Sequence, residues 1–140
     1  MSARDARLHA FRSDLADERL RGDVQAGRFV AGTPARVISS VADVLKAPRG
    51  DAGLNTQLLH GDDIRVFEDA AGWAWVQADR DGYVGYVASA AIGPREAEPT
   101  HIVRAPRTFL YPGPDLKLPR AGQLSMGSRV SVASHAETRG

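Results

Sequence analysis

From residue 36 onward, short runs of apolar and polar positions alternate and are separated by turns rich in Gly, Pro and Asp. Ile64 and Val66 alternate with Arg65 and Phe67, as in a half-buried strand. The predicted strands cover residues 37–46, 56–60, 64–67, 73–78 and 83–87. Five short strands at this spacing are typical of a small antiparallel β-barrel, which we place at residues 35–92.

Residues 1–34 predict an N-terminal arm rather than a domain. Residues 13–22 have the pattern of one short helix, with Ser13 or Asp14 as the N-cap and Gly22 as the stop. The apolar residues around this segment are too sparse to build a core of their own. We therefore expect the arm to pack against a larger body.

After a predicted linker at residues 93–99, the pattern begins again. The similar segments are residues 109–115 with 45–51, and residues 124–132 with 58–66. No segment of the second copy corresponds to residues 73–87, so the pattern of residues 100–140 predicts an incomplete second repeat. A barrel without two strands exposes unpaired backbone and an apolar face. We expect a truncation, a partner or a swapped homodimer.

Composition and charge narrow the function classes. The chain has 140 residues, with 18 basic and 17 acidic side chains of interspersed sign, so nucleic acid is not an expected partner. The first 20 residues contain no apolar run of the kind that forms a signal peptide or a membrane-spanning helix. We therefore expect a cytoplasmic protein without membrane contact.

The sequence offers little catalytic or metal-binding chemistry. It contains no cysteine, which excludes a thiolate nucleophile and a Cys-based metal site. Four histidines are scattered without the spacing of metal ligands: His9, His60, His101 and His135. No phosphate-binding loop is present either. We expect no catalytic residue, no metal and no cofactor on this chain.

The motifs of residues 44–87 occur in a characteristic order. They are VLKAP at 44–48, Leu59 and Gly61, IRV at 64–66, GWAWV at 72–76 and DGYVGYV at 81–87. This order resembles the bacterial SH3 domain family, except that Tyr86 stands where that family usually has Trp. The resemblance implies an all-β fold with a small SH3-like antiparallel barrel.

With the arm and the partial second repeat, the chain looks like the N-terminal region of NlpC-type cysteine peptidases. The resemblance implies enzymes that hydrolyse γ-D-glutamyl bonds to a diamino acid in peptidoglycan peptides, with a Cys/His pair in a separate papain-like domain. No such domain is found in this sequence. We therefore expect a non-catalytic module whose partners are a peptidoglycan peptide, a peptidase domain, or both. The alternative is a scaffold or adaptor that binds a partner protein or self-associates through the half repeat.

Five side chains are candidate ligand-binding residues: Tyr83, Tyr86, Trp73, Trp75 and Asp51. A period of two places both tryptophans outside the barrel, either as a ligand platform or as the seat of the arm. The resemblance implies that the strand around Tyr83 lies near the active site, where a tyrosine helps to define the substrate's N-terminal end. Packing at the rim is the alternative role for Tyr83. Asp51 could bind a substrate ammonium, although turn capping is the commoner role of such an aspartate.

Overall fold

The computed structural model describes residues 4–136, and its regular secondary structure is almost entirely β, which confirms the all-β, SH3-like fold. Residues 1–3 of the predicted arm and residues 137–140 of the predicted second repeat lie outside this description. The strands are β1 (Ala16–Asp17), β2 (Phe29–Val30), β3 (Thr33–Val37), β4 (Val41–Leu45), β5 (Leu54–Leu59), β6 (Asp63–Ala70), β7 (Trp73–Ala78), β8 (Val84–Ala88), β9 (Ile92–Pro94), β10 (His101–Ile102), β11 (Arg107–Leu110), β12 (Gly122–Ser125) and β13 (Arg129–Val130). No helix in the described part of the chain is long and apolar enough to cross a membrane.

Strands β3 to β9 form one antiparallel sheet in the order β5-β4-β8-β7-β6-β3-β9. Its core takes apolar side chains from alternate positions of nearly every strand. The fully buried members include Val37, Val44, Ile64, Val76 and Val87. Because the two ends of the strand order contribute to the same cluster, the sheet curves around one inner face.

Strand β7 shows how the alternation positions the outer residues. Ala74, Val76 and Ala78 belong to the core cluster, as the period of two predicts. Trp73, Trp75 and Gln77 consequently point away from it. Small inward side chains suit the narrow interior of a barrel of this size.

The predicted helix over residues 13–22 is wrong. In its place, β1 pairs in parallel with β2, and a single 3-10 turn spans Glu18–Leu20. The Asp17 side chain caps this turn by accepting the backbone N–H of Arg19 at 3.0 Å. The backbone N–H groups of Ala16 and Asp17 donate to carbonyls of Arg28 and Ala10. Ten residues make a marginal isolated helix, so these tertiary hydrogen bonds determine the conformation.

The second unit, residues 100–136, repeats the strand register of the first barrel, residues 35–92, at an offset of 66 positions. Thr108 pairs with Leu124 as Ala42 pairs with Leu58, in the hairpins β11–β12 and β4–β5. Likewise, His101 pairs with Val130 as Ala35 pairs with Ile64. The predicted match of residues 109–115 to 45–51 is therefore displaced by two positions. The sequence match aligned Gly, Pro and Asp residues, which occur in many turns. The observed strand register is instead set by which side chains are buried.

The second unit contacts the first barrel through the turn before β6. The Arg129 N–H donates to the His60 carbonyl at 2.8 Å. Gly61 has a φ of +87°, and a Cβ added there would lie 2.2 Å from the Arg129 carbonyl oxygen. Only glycine satisfies both the backbone conformation and this close approach.

Candidate functional site

An outer row of three side chains crosses β6, β7 and β8. Trp75 is in register with Glu68 on one side and with Tyr86 on the other. A β-bulge between Val66 and Glu68 brings Phe67 towards the same face. The rings of Phe67 and Trp75 pack at a tilted angle, with their centroids 5.6 Å apart. We call Glu68, Trp75 and Tyr86 the outer row.

The N-terminal arm covers this outer row through one arginine. The Arg12 guanidinium lies over the Trp75 ring, 4.6 Å from its centroid. It donates to both carboxylate oxygens of Glu68 at 2.9 and 3.1 Å, and to the Tyr86 hydroxyl at 3.2 Å. A bidentate ion pair combined with a cation–π contact fixes both the position and the orientation of the arm.

Apolar contacts extend this attachment. Ala10 and Leu15 of the arm form a second cluster with Phe67, Trp75 and Val84. Trp75 is only 4% exposed as a result. Trp75 therefore serves as the seat of the arm and presents no open platform to a ligand.

The electrostatics of the outer row are those of a structural ion cluster. The Arg12 guanidinium lowers the pKa of Glu68, and the same guanidinium lowers the pKa of Asp14. The two carboxylates, Glu68 first, raise the pKa of Arg12. Each shift favours the charged form at neutral pH. A general acid or base needs a pKa near the working pH, so these groups are not arranged for proton transfer.

A polar cleft of about 630 Å³ lies between the arm and the β7–β8 turn. The lining residues include Asp17, Arg19, Arg65, Gln77, Asp79 and Gly82. Gln77 joins the two walls, because its amide nitrogen donates to the carbonyls of Leu8 and Gly82 and its oxygen accepts from Arg19. Asp17 is 2% exposed, and its carboxylate is held by Arg19. The cleft thus presents carboxylates and guanidinium groups close together.

Tyr83 directly follows the cleft residue Gly82 and is half-buried. Its N–H donates to the Asp81 carboxylate at 3.0 Å, and its carbonyl accepts the N–H of Ala78 at 2.9 Å. The next amide, that of Val84, donates to the Arg7 carbonyl of the arm. These backbone bonds hold Tyr83 at the junction of barrel, arm and cleft.

The structure brings together some of the five predicted ligand-binding residues and separates others. Tyr86 and Trp75 are neighbours in the outer row, and Trp73 is half-buried on the same face of β7. Tyr83 immediately precedes β8 and lies beside the cleft. Asp51 is elsewhere, on the exposed β4–β5 loop, where Arg49 lies 3.4 Å from its carboxylate.

Sequence reasoning missed Arg12, Glu68 and Asp17. Arg12 and Glu68 are 56 positions apart and bear ordinary surface residue types, so the local sequence carries no signal for their pairing. A bulge interrupts the alternation just before Glu68. A buried aspartate such as Asp17 is recognisable only once its hydrogen-bond partners are in place.

Comparison with known proteins identifies part of the chain. A family model described as the bacterial dipeptidyl-peptidase SH3 domain matches residues 44–92. No curated protein matches the chain. The matched stretch contains β5 to β8 whole, and therefore the outer row and Tyr83. Residues 44–92 are thus similar to a bacterial SH3 domain, in agreement with the SH3-like fold.

Proposed function

We propose that this chain is a non-catalytic module that positions a peptidoglycan-derived peptide for a papain-like cysteine peptidase domain outside these 140 residues. The match of residues 44–92 to an SH3 domain of bacterial dipeptidyl-peptidases is the observation on which the proposal depends. Hydrolysis belongs to the peptidase domain, because this chain has no cysteine to act as the nucleophile.

The chemistry of the cleft supports this proposal. A peptide that begins with a free amine and contains D-Glu and a diamino acid carries both ammonium and carboxylate groups. Asp79 is exposed at the cleft and can accept from an ammonium, while Arg65 can donate to a carboxylate. Tyr83, at the cleft edge, then contacts the amino-terminal residue of the peptide and limits how far it extends.

In this proposal, the peptidase domain docks beside Tyr83 and the β7–β8 turn. Tyr83 and the β7–β8 turn are presented beside the arm, so a domain docked there would enclose the cleft from its open side. Enclosure removes water and strengthens each charge–charge contact with the peptide. We therefore expect weak binding by this chain alone and tighter binding when the peptidase domain is added.

The test is a titration of the ¹⁵N-labelled chain with the tripeptide L-Ala-γ-D-Glu-diaminopimelate, followed by amide NMR shifts. We expect saturable shifts at Gln77, Gly82 and Tyr83, and a loss of at least fivefold in affinity in Tyr83→Ala. Tyr111→Ala is the matched control, because Tyr111 is also half-buried but belongs to the second unit. The absence of shifts both alone and with an added NlpC-type catalytic domain would contradict the proposal.

A further inference from the structure

The cleft between the arm and the β7–β8 turn has two walls that belong to different segments of the chain. Arm residues within 8–20 form one wall, and barrel residues within 65–82 form the other. Asp79 and Arg65 are barrel groups, whereas the Arg19 guanidinium belongs to the arm. A peptide that carries both an ammonium and a carboxylate can therefore contact both walls only while the arm is attached.

Hydrogen bonds within the arm make it a single body. The Asp17 N–H donates to the Ala10 carbonyl at 2.9 Å, and the Gly27 N–H donates to the Ser13 carbonyl at 2.9 Å. These bonds join parts of residues 10–28 to one another and not to the barrel. A segment joined in this way opens as one cooperative unit, so we expect the arm to attach to the barrel and leave it as a whole.

The arm joins the barrel at Gly32, which lies between β2 and β3. Gly32 has a φ of +79°, and a Cβ added there would lie 2.5 Å from Cγ of Arg65. The Arg65 guanidinium donates to the Ala31 carbonyl at 3.1 Å. A glycine at the boundary between two bodies is a position where φ and ψ can change at low cost. Arg65 therefore contacts both the cleft and the junction about which the arm can turn.

The contacts that hold the arm on the barrel are centred outside the cleft. Arg12 binds Glu68 and covers the Trp75 ring, and Leu15 packs in the apolar cluster that contains Trp75. These four residues do not line the cleft. Within the cleft, Gln77 makes two solvent-exposed hydrogen bonds with the arm, which stabilise it little. Attachment of the arm therefore depends on groups that a ligand in the cleft does not touch.

We propose that the arm is a movable wall of the cleft and that Arg12 is a positioning residue for the ligand. Arg12 contacts no ligand, but it holds the arm against Glu68 and Trp75 and so completes the site. The ligand in turn binds only when the arm is attached and stabilises that attachment, because the two equilibria are coupled. This inference rests on the proposed function, since it takes the peptidoglycan-derived peptide as the ligand of the cleft.

The coupling is measured at two groups outside the cleft. The Val84 N–H donates to the Arg7 carbonyl of the arm at 2.6 Å, so its hydrogen exchange reports release of the arm. The tripeptide L-Ala-γ-D-Glu-diaminopimelate, at about ten times its dissociation constant, should slow this exchange about elevenfold, because only the attached state binds it. In the double variant Arg12→Ala, Trp73→Phe, the tripeptide should also restore the protection of Trp75 from quenching by acrylamide.

Variants of the arm separate positioning from direct contact with the ligand. Arg12→Ala should weaken tripeptide binding at least about threefold, and Leu15→Asp, which puts a charge into the apolar cluster, at least about tenfold. Arg12→Lys keeps the charge but loses the bidentate pair, so its affinity should be intermediate. Arg4→Ala is the matched control and should bind as the wild type does, because the Arg4–Asp23 pair is largely exposed. Amide shifts of β4 and β5 that match the wild type show that the barrel of each variant is folded.

The outcomes distinguish this inference from the proposed function. Slower exchange at Val84 with tripeptide, together with weaker binding in Arg12→Ala and Leu15→Asp, would support the inference. Binding of wild-type strength in Leu15→Asp, with fast exchange at Val84, would overturn it and leave the proposed function standing, as would a tripeptide that binds the wild type without slowing Val84. A tripeptide that binds neither the wild-type chain alone nor the chain with an added NlpC-type catalytic domain would overturn both.

Discussion

The complete barrel and the second unit share one strand register but differ in how far their apolar side chains are buried. Each contains one antiparallel hairpin and one longer-range antiparallel strand pair, at equivalent positions 66 residues apart. The first adds β7 and β8 and gains a continuous core, whereas Leu124 is the one buried apolar side chain among residues 100–136. The strand register is thus the same in the two units, whereas burial depends on the two strands that join β4 to β6 in the barrel.

The barrel itself is enlarged on its outer side by the arm. Leu15 is 1% exposed, although it lies in a segment with only one short turn of helix. Its burial depends on Trp75 and Phe67, which face away from the barrel core. One face of the sheet therefore has an ordinary core, and part of the other face has a second core that one ion pair helps to hold in place.

The largest expected effect on the free energy of unfolding comes from truncating the equivalent leucine in each unit. Leu58 and Leu124 occupy equivalent positions and are 2% and 3% exposed. Leu58→Ala should lower the free energy of unfolding by about 2–5 kcal/mol, because it leaves a cavity in the barrel core. Leu124→Ala should cost at most about half as much, because fewer strands surround it. Urea denaturation measures both, and equal losses would show that the second unit is packed as tightly as the first.

Gly61 and Gly72 separate backbone strain from contact between the units. Both have a positive φ, +87° and +84°, so alanine at either should cost about 1–2 kcal/mol in strain. An added Cβ meets nothing within 4 Å at Gly72 but clashes with Arg129 at Gly61. Gly61→Ala, but not Gly72→Ala, should therefore speed hydrogen exchange at the Arg129 amide. Equal exchange in the two variants would mean that the second unit does not depend on this contact.

Loss of the Arg12 side chain should release the arm and leave the barrel folded. Arg12→Ala removes the ion pair with Glu68 and the contact with Trp75, at a cost of about 1–2 kcal/mol. Trp fluorescence should shift to the red, and protease should cut the arm faster. Arg4→Ala is the matched control, because the Arg4–Asp23 pair is largely exposed and worth less than about 0.5 kcal/mol. Similar behaviour of the two variants would contradict a special role for Arg12.

The smallest effect is a pH dependence of arm attachment. Arg12 lowers the pKa of folded Glu68 below its ordinary value of 4.5, so the released state binds more protons. The stabilisation is complete well above pH 4.5 and is lost as the pH falls through the lower, folded value. A protease-cleavage series from pH 6 to pH 3 should show faster cutting of the arm at the acid end. Glu68→Gln should flatten that part of the profile; an unchanged profile would mean that another group controls attachment.

Much of the barrel could be predicted from the sequence, because strand alternation is a property of adjacent residues. Ile64 and Val76 face inward as their spacing requires, and the turn at residues 79–82 lies where its composition indicated. The site was harder to predict. Trp73 and Trp75 look equivalent in sequence, but only Trp75 lies under Arg12 and is buried. That difference depends on a residue more than 60 positions away.

The sequence by itself determined the strand pattern, the existence of a second copy of that pattern, and the absence of a thiol nucleophile. Only the tertiary structure decided the conformation of the arm, the burial of Trp75 and the displacement of the repeat by two residues. The physical reason is the separation along the chain over which each interaction acts. Alternation and turn chemistry act over a few residues, whereas the arm and the register are fixed by hydrogen bonds and packing between segments far apart in the chain.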